Sequence, residues 1–345
     1  MLFIEGVPMR AVTGGDAFEL RRIATKLGQG MRLRTVERHL HVLRPPPVPP
    51  VGRVGRRAQL LAIRAAIAYA RHRLKLGGAA VSWFSLPTMA PLRGRLGEQG
   101  SLLYYQDRYD AFSHVDAPWL RECLRELVQG CQVAVASAEE LGGDLRKLGA
   151  DPVIVPHGVD VERFAGNPRP PKDLDGLERP LVGYVGIVDD YLDLTCLTSV
   201  ADALTEGTVV VVGAANTDVR MLREHPRITL LGRRPYGDIP GYLAAFDCCL
   251  IPFSVTPLTV AVNPIKLREY LAAGRPVVST PLPEVLPYGD VVSVAEPGPA
   301  FVEAVLAAID ADDDAGARRA RVAAESWDAV AARIEPLLRT LLRSE

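Results

Sequence analysis

The stretch VNPIKLREYLAAGRPVVST, at residues 262–280, decides the fold of this chain. Its Asn-Pro opening predicts a loop that leads into a helix at Pro264, and Gly274 followed by a proline predicts where that helix ends. The apolar run over 276–280 predicts a buried strand. A helix between two such strands belongs to a parallel sheet. Its N-terminus, at the carboxyl edge of the sheet, favours a phosphate or diphosphate because it presents free N–H groups and a partial positive charge.

Two charged side chains on this helix strengthen the expectation of an anionic ligand. Lys266 lies in the first turn, and Glu269 follows one turn later on the same side. The lysine could neutralise a diphosphate, and the carboxylate could accept two hydrogen bonds from a ribose diol. The same spacing also suits a surface helix with a Lys–Glu pair, and spacing alone favours neither interpretation.

Outward from this segment, short apolar runs alternate with stretches of helical period. The runs cover 2–5, 40–44, 79–84, 101–107, 133–137 and 152–158, and then 181–186, 208–213, 228–232, 248–253, 276–280 and 291–296. Nearly continuous Val, Ile and Leu runs are typical of parallel strands that are buried on both faces. Because the pattern occurs twice, the sequence predicts an α/β chain with two doubly wound domains.

A Pro- and Gly-rich stretch, GNPRPPKDLDGLERP at 166–180, separates the two sets of strands and is typical of a linker. We therefore expect an N-terminal domain, a linker, a C-terminal domain and a C-terminal helix that could cross back to the first domain. Their predicted bounds are 1–165, 166–178, 179–323 and 326–345.

Charge is unevenly distributed along the 345 residues, although the formal net charge is only -1. Residues 1–150 hold 22 Lys/Arg against 13 Asp/Glu, whereas the remainder holds 18 against 28. The segment over 21–75 has 14 basic residues and a single acid, Glu37. It is either a surface for an anionic membrane or anionic acceptor, or a solvent-facing part of an Arg- and Ala-rich protein. Nucleic acid is not expected, because no recognition motif with stacking aromatics accompanies the charge.

The basic segment includes a predicted helix over 56–76 with two faces. A period of about 3.6 residues places apolar side chains on one side and cations on another. The expected apolar side comprises Leu60, Leu61, Ile63, Ile67, Ala70 and Leu74, and the expected cationic side comprises Arg57, Arg64, Arg71 and Lys75.

The cysteines and the hydropathy of the chain indicate in which cellular compartment the protein is located. The 5 cysteines form no CxxC pair, which indicates reduced thiols and a cytoplasmic location. No apolar stretch approaches the roughly 18 residues of a membrane-spanning helix, and the N-terminus MLFIEGVPMR lacks the pattern of a signal peptide. We therefore expect a cytoplasmic protein, with peripheral contact at the inner face of the cell membrane as an option.

Four segments, in this order, resemble the retaining, nucleotide-sugar-dependent glycosyltransferases of the GT-B fold, in the group 1 or family-4-type class. They are PHGVDVERF (156–164), LVGYVGIVDD (181–190), LLGRRPYGDIPGYLAAFDCCLIPF (230–253) and the helix segment over 262–280. The first domain resembles the family more loosely, and best over 101–112. The resemblance implies two Rossmann-like domains that face each other across a cleft, with the acceptor on the first and the nucleotide sugar on the second.

The resemblance also implies donor-binding roles in the second domain. Glu269 matches the glutamate that holds the donor ribose, and Gly186 would allow the backbone to approach the diphosphate closely. The nucleotide base would be framed by the backbone of Gly232, Arg233 and Arg234, and the diphosphate and sugar would be contacted by Asn263, Pro264 and Ile265.

Catalytic and acceptor-side roles follow from the same resemblance. Asp107, at the end of a first-domain strand, matches the position where relatives place a His or Asp against the donor sugar. Tyr109 and Asp110 are its neighbours on the acceptor side. Lys266 is the first candidate, and Arg234 the second, for the cation that stabilises the leaving diphosphate.

The chain departs from the family pattern where charged side chains are expected. Ala261 stands in place of the first glutamate of the E-x7-E motif, and Ile187 and Leu192 stand where relatives have an Arg and a Lys that neutralise the diphosphate. A subgroup with N-P-x-K-x-x-E-Y-L at this helix is more similar, and implies that Lys266 replaces the missing cations. Met1 begins at what resembles the second strand, so either the first sheet is short by one strand or the chain starts downstream of its natural start.

We therefore predict transfer of a sugar from a UDP-, dTDP- or GDP-sugar to a hydroxyl of a small-molecule or glycan acceptor, with retention and with neither a metal nor a cofactor. The composition indicates a high-GC bacterium, in which such enzymes serve cell-envelope glycans and natural products. Two other functions remain open. One is a nucleotide-sugar epimerase or phosphorylase on the same fold, and the other is a degenerate, non-catalytic partner of a true transferase.

Overall fold

The computed structural model divides the chain into two compact units. The described residues are 1–5, 30–46, 48, 52–113, 115–166, 168–311 and 314–342. The first unit comprises Met1–Ala136, Leu141–Val153 and Glu335–Glu345, and the second comprises Ser137–Glu140 and Ile154–Ile334. Residues 154–165 thus cluster with the second unit, whereas the sequence-based boundary assigns them to the first domain.

The chain begins with a small sheet of three strands, β1 (Leu2–Ile4), β2 (Arg32–Glu37) and β3 (Leu40–Arg44). Strand β3 lies in the centre and pairs in parallel with β1 and antiparallel with β2. The sequence predicts β1 and β3, but it does not predict that they form a sheet of their own, distinct from the sheet of the strands that follow. It misses β2, because this edge strand is exposed along nearly its whole length and therefore lacks an apolar run.

The main sheet of the first unit has four strands, β4 (Val81–Phe84), β5 (Gly100–Tyr105), β6 (Val133–Ala136) and β7 (Val153–Ile154), in the order β4-β5-β6-β7. Strand β5 pairs in parallel with both neighbours, and all of its residues are buried, as its continuous apolar sequence predicts. The helices of this half are α1 (Gly52–Arg73), α2 (Ala117–Gly130) and α3 (Glu139–Lys147).

Helix α1 buries one face and exposes the other. Its buried residues are Gln59, Ile63, Ala66, Ile67 and Ala70. Leu61, which the sequence places on the apolar side, is instead 63% exposed. The prediction for Leu61 was wrong because a residue two positions from Ile63 lies about 200° away around the helix axis. Of the basic segment, residues 21–29, 47 and 49–51 lie outside the described part of the chain.

The second unit is built around a parallel sheet of six strands, all of which the sequence predicts. They are β8 (Leu181–Val185), β9 (Thr208–Val212), β10 (Ile228–Gly232), β11 (Cys248–Ile251), β12 (Val277–Ser279) and β13 (Ser293–Val294). Their order, β10-β9-β8-β11-β12-β13, is that of a dinucleotide-binding sheet and reverses between β8 and β11. Ligands of open α/β sheets bind outside the carboxyl ends of the strands at such a switch point.

Eight helices are described in the second half of the chain. They are α4 (Val161–Ala165), α5 (Leu194–Ala203), α6 (Arg220–Arg223), α7 (Ile239–Ala245), α8 (Ile265–Ala272), α9 (Pro299–Asp310), α10 (Ala315–Val322) and α11 (Trp327–Leu342). Helix α8 begins after Pro264 and is followed by Gly274 with a φ of +74°, as predicted. No helix in the described ranges is long and apolar enough to cross a membrane.

The C-terminal helix α11 begins in the second unit and ends in the first. The Ser326 hydroxyl caps its N-terminus by accepting a hydrogen bond from the Ala329 N–H at 3.1 Å. From Glu335 onward the helix clusters with the first unit. There Leu341 is buried against Gly100, where a Cβ atom would lie only 2.8 Å from the leucine Cβ.

Candidate functional site

Two glycines bring the backbone close together at the carboxyl end of β8. Gly186 has a φ of +149°, which side-chain-bearing residues rarely adopt. A Cβ atom on Gly186 would lie 2.6 Å from the Lys266 Nζ, and a Cβ atom on Gly213 would lie 1.7 Å from the Gly186 carbonyl oxygen. Glycine at position 186 therefore admits the ammonium of α8 to the end of the strand.

Lys266 projects from the first turn of α8 into an aromatic pocket at this point. Its Nζ donates a hydrogen bond to the Tyr184 hydroxyl at 2.8 Å, and it lies 4.1 Å from the ring centroid of Tyr184 and 4.7 Å from that of Phe253. Burial lowers the lysine pKa to about 7, although the nearby charge of Glu269 acts in the opposite direction. Lys266 has no ion pair among the residues that the structure describes. The site thus contains an ammonium whose counterion is not supplied by these residues.

Glu269 lies one turn further along α8 and is 8% exposed. Its Oε1 accepts a hydrogen bond from the Tyr236 hydroxyl at 2.9 Å. Burial raises the pKa of this carboxyl group, and the hydrogen bond and the charge of Lys266 oppose that change. The carboxylate is therefore held in one orientation with its second oxygen available to a hydroxyl donor.

Sequence reasoning did not single out Tyr236, which the fold places in the site. Its ring packs edge-on against Phe164 at 5.9 Å, and the guanidinium of Arg163 lies 5.3 Å from its centroid. Both residues belong to α4, the helix of the PHGVDVERF motif. Tyr236 and Glu269 are 33 residues apart, a separation that produces no periodic signal, so only the fold could show that they meet.

The guanidinium of Arg234 lies in a hydrogen-bonded network with Asp173 and Tyr242, so it is not free to pair with a ligand. Its Nε and Nη2 donate to Asp173 Oδ2 at 3.0 and 2.8 Å, and Nε also donates to the Tyr242 hydroxyl at 2.9 Å. Burial alone would raise the pKa of Asp173, but the hydrogen bonds from Tyr242 and Arg234 outweigh it and lower the pKa. The charge of the second candidate cation is already balanced by a carboxylate.

The residues beside Arg234 leave backbone accessible after β10. Gly232 has a φ of +69° and open space where a side chain would project, and the Arg233 side chain is exposed. This geometry is compatible with the base-framing role that the resemblance implies for their backbone groups.

Asn263 is buried, and its side chain is already hydrogen-bonded. Its Oδ1 accepts from the His157 N–H at 3.2 Å and from Arg268 Nη1 at 2.9 Å, and its Nδ2 donates to Glu284 Oε2 at 2.6 Å. The amide therefore ties the loop to the body of the unit. Its contribution to a ligand would come from the backbone.

The N-terminus of α8 is formed by Pro264 and Ile265. Pro264 occupies the capping position and supplies no side-chain hydrogen bond to the helix. The first N–H groups of a helix have no partner within the helix. An anion at this end would be bound by these groups together with the Lys266 ammonium.

Arg268, two residues after Lys266, lies in a buried network. It is 2% exposed, and its Nε donates to Glu325 Oε2 at 2.7 Å. The same oxygen accepts from the Tyr288 hydroxyl at 2.6 Å. Burial, reinforced by the positive charge of Arg268, lowers the pKa of His157 to about 4, so this imidazole is neutral at pH 7. These side chains form the support of the site.

The three positions that depart from the family pattern carry no charge into the site. Ala261 is fully buried. Leu192 is 5% exposed, and its backbone forms an isolated antiparallel β-bridge with Phe253. The carbonyl of Ile187 accepts hydrogen bonds from the Tyr184 and Tyr191 hydroxyls at 2.8 and 3.1 Å. The Lys266 ammonium is thereby linked, through the Tyr184 hydroxyl, to the loop at Ile187.

In the first unit, the predicted residues after β5 differ in accessibility. Asp107 is half-buried, and burial raises its pKa to about 6. Tyr109 is 6% exposed and packs against Tyr105 and Phe112, with ring centroids 5.8 and 6.4 Å apart. Asp110 pairs with Arg121 at 3.1 Å. The structure therefore directs Tyr109 into the core, and among the described residues Asp107, unlike Asp110, forms no ion pair.

Taken together, the second unit offers a lysine ammonium, a helix N-terminus and an oriented carboxylate at the switch point of a dinucleotide-type sheet. This arrangement can bind a diphosphate and a ribose diol. Among the described residues, no group of three or more His, Cys, Asp or Glu side chains could hold a metal ion.

Comparison with known proteins agrees with this geometry. The family described as glycosyl transferases group 1 matches residues 179–311. The putative teichuronic acid biosynthesis glycosyltransferase TuaH of Bacillus subtilis is 34% identical over 135 residues, which are 37% of this chain and 34% of that protein. The match therefore spans about a third of that relative's length.

Solved structures share the fold over the whole chain. Sucrose-phosphate synthase from Thermosynechococcus elongatus has a TM-score of 0.72 at 17% identity, covering 100% of this chain and 99% of its own. Anabaena HepE in complex with UDP-glucose has a TM-score of 0.68 at 15% identity, covering 98% of this chain and 99% of its own. Residues 179–311 therefore form a domain of the group 1 glycosyltransferase family, and the chain has the GT-B fold with two Rossmann-like domains.

Proposed function

We propose that this protein transfers a glycosyl group from a nucleotide diphosphate sugar to a hydroxyl of an acceptor. The observation that carries the proposal is the Lys266 ammonium, which lies at the N-terminus of α8 and against Gly186 without an ion pair among the described residues. A cation that is partly excluded from water is energetically unfavourable unless an anion pairs with it, although the rings of Tyr184 and Phe253 offset part of that cost. The diphosphate of a nucleotide sugar has the charge and the size for that role.

A UDP-sugar is our first candidate for the donor. HepE was solved with UDP-glucose, and an Escherichia coli trehalose-6-phosphate protein was solved with UDP-2-fluoro glucose. At 15% and 11% identity these proteins support the fold and suggest which nucleotide to test first. dTDP- and GDP-sugars are the next candidates. The name of TuaH suggests a cell-envelope glycan as the acceptor class, and a natural product is the other acceptor to test.

We further propose that the reaction retains the anomeric configuration and uses no metal. The bond from the sugar C1 to the diphosphate oxygen breaks, the bond from C1 to the acceptor oxygen forms on the same face, and the acceptor proton passes to the leaving diphosphate. Such a step requires no nucleophilic carboxylate, but it requires stabilisation of the charge that develops on the leaving group. Lys266 and the α8 N-terminus would supply it. The role of Asp107 toward the donor sugar stays a prediction.

The direct test is nucleotide binding followed by transfer. We expect UDP to raise the Tm of the protein, and we expect release of UDP from a UDP-sugar to depend on an added hydroxyl acceptor. Transfer should persist in EDTA and give a product with the donor's anomeric configuration. Isomerised sugar formed without an acceptor would indicate an epimerase. Nucleotide binding without any transfer would indicate a non-catalytic partner, and no response to any nucleotide would refute the proposal.

Nucleotide binding should be linked to proton uptake through Lys266. With a pKa of about 7 the free site loses its charge above neutrality, whereas a bound diphosphate favours the charged form. UDP affinity should therefore fall as the pH rises from about 7.5 to 9, by a factor approaching ten per pH unit. Calorimetric titration in two buffers of different ionisation enthalpy would measure the uptake. Lys266→Met should abolish it, and an unchanged proton uptake in that variant would assign the linkage to another group.

The same pKa predicts how the free protein responds to pH. An unfolded lysine keeps its proton up to about pH 10.4, whereas the folded Lys266 releases it near 7. The unfolded state therefore binds more protons between these values, and the contribution of this residue to the free energy of unfolding rises with pH across the same range.

Tyr236→Phe should weaken nucleotide binding only through the ribose. Removing the hydroxyl releases Glu269 from its fixed orientation, and a lost hydrogen bond of about 1 kcal/mol corresponds to a roughly fivefold increase in the Kd for UDP. The Kd for 2′,3′-dideoxy-UDP should not change. Tyr288→Phe, which removes a hydroxyl bonded to Glu325, is the matched control and should affect neither Kd. An equal loss for both nucleotides would show that Tyr236 does not act through the ribose.

A further inference from the structure

Outside the candidate site, helix α1 of the first unit exposes an apolar stripe. Val54 is 82% exposed, Leu61 is 63% exposed and Tyr69 is 49% exposed. The positions between them are filled by exposed alanines at 58, 65 and 68. Val54, Ala58, Leu61 and Ala65 follow one another at three or four residues, and Ala68 and Tyr69 lie three and four residues after Ala65, so the set forms one face of the helix. This set of residues is the apolar stripe of α1.

Packing within the first unit holds the apolar stripe outward. Ile63 and Ile67, on the opposite side of α1, are buried. Near the start of the helix, Arg56 pairs with Asp116 at 2.5 Å, and its guanidinium lies 4.0 Å from the ring centroid of Trp119. These contacts fix the rotation of the helix about its axis, so the stripe is not a face that could turn inward.

Cations flank the stripe. Arg57 and Arg64 are exposed along one edge, and Arg73 is exposed near the other. The sequence of α1 contains no Asp or Glu. A surface pocket of about 520 Å³ lies at the C-terminal end of α1, lined by Arg71, His72, Arg73, Lys75, Leu76 and Gly77. The helix and its end therefore form a continuous cationic surface with an apolar centre.

An apolar stripe between cations identifies the class of partner. A soluble polyanion, such as a nucleic acid or an acidic glycan, would be bound by the arginines and would gain nothing from exposed Val54, Leu61 and Tyr69. The surface of an anionic bilayer presents phosphates above hydrocarbon and thus complements both parts of the face. Isolated exposed apolar residues are ordinary, but a stripe that spans about four turns of one helix is an interaction surface.

We propose that the exposed face of α1 docks this protein on an anionic membrane. The apolar stripe enters the boundary between headgroups and acyl chains, the flanking arginines lie at the level of the phosphates, and the pocket at the end of the helix receives a lipid phosphate. The proposal assigns the membrane contact to residues 54–77 instead of to the whole basic segment over 21–75. It is independent of nucleotide binding in the second unit.

Co-sedimentation of the full chain with vesicles tests this proposal. We expect binding to vesicles of phosphatidylcholine and phosphatidylglycerol in equal parts, and not to phosphatidylcholine alone. Leu61→Glu should weaken binding at least about tenfold, because it places a charge in the centre of the apolar stripe. Arg57→Gln and Arg64→Gln should each weaken it about fivefold.

Matched substitutions on the second unit serve as controls. Helix α6 exposes Met221, at 45%, and Arg223. Met221→Glu is therefore the control for Leu61→Glu, and Arg223→Gln is the control for the two arginine variants of α1. Both controls should bind like the unaltered protein, and melting followed by circular dichroism should show all variants folded.

Three outcomes would overturn the proposal. They are no binding to the mixed vesicles, equal binding to phosphatidylcholine alone, and binding that Leu61→Glu leaves intact while salt abolishes it. The last result would assign the face to a soluble polyanion. Because UDP titration is a separate measurement, failure here and failure of the proposed enzymatic function are distinguishable.

Discussion

Lys266→Met is expected to lower kcat/KM by about 10²–10³, the usual cost of removing one group that stabilises the charge of a transition state. The reason is geometric: the ammonium lies against Gly186, at the head of α8, where a leaving diphosphate would gain charge. Methionine keeps most of the side-chain volume between the rings of Tyr184 and Phe253 and removes the charge together with the hydrogen bond to the Tyr184 hydroxyl. Steady-state kinetics with a UDP-sugar would measure the loss.

Stability provides the internal control for this variant. Because Lys266 is held in a pocket that lowers its pKa, its replacement by methionine should leave the free energy of unfolding unchanged or higher. Glu269→Gln is the matched comparison, since it keeps a hydrogen-bond acceptor for the ribose and should mainly raise KM. A Lys266→Met variant with normal kcat and a raised KM would show that the lysine binds the donor equally in the ground and transition states.

Arg268→Met, in contrast to Lys266→Met, should lower the stability of the protein. We expect it to destabilise the second unit by about 3 kcal/mol, the lower end of the range for breaking a buried ion pair. The substitution leaves Glu325 and the Asn263 Oδ1 without the guanidinium that bonds to both. Glu325 is one-quarter exposed and keeps the Tyr288 hydroxyl, so the higher values for fully buried pairs do not apply. Calorimetry should show a Tm lowered by about 6–12 °C.

Arg339→Met is the matched control for this experiment. Arg339 pairs with Glu335 one turn away on the exposed surface of α11, and such pairs contribute less than about 0.5 kcal/mol. Equal Tm changes in the two variants would contradict the assignment of Arg268 to a buried supporting network. Lys266 and Arg268 are two residues apart and therefore point to different sides of α8. The same helix thus carries one cation without an ion pair among the described residues and one within a buried hydrogen-bonded network.

The strands of the second unit could be predicted from the sequence because each is a continuous apolar run, such as Thr208–Val212, between turn residues. The bounds of α8 were predicted from Pro264 and Gly274, whose backbone preferences act locally. In the first unit, β2 was missed because an exposed edge strand needs no apolar pattern. Leu61 was misplaced because composition shows that a helix is amphipathic but not which leucine faces the core.

The candidate site was predictable only in part. Lys266 and Glu269 were singled out because they share a helix, where spacing along the chain determines proximity. Tyr236, which orients Glu269, and Asp173, which pairs with Arg234, are 33 and 61 residues from their partners. Asn263 lies in the predicted loop, yet its side chain turns inward to Arg268 and Glu284.

The sequence by itself determined the α/β architecture, the bounds of α8 and the presence of Lys266 at its start, because these depend on local backbone preferences and on hydrophobic period. Tertiary structure alone decided which cation is available to a ligand. Arg234 and Arg268 are balanced by carboxylates from distant parts of the chain, whereas Lys266 is surrounded by the rings of Tyr184 and Phe253. The sequence specifies which side chains are charged, but the tertiary structure determines which of them form ion pairs.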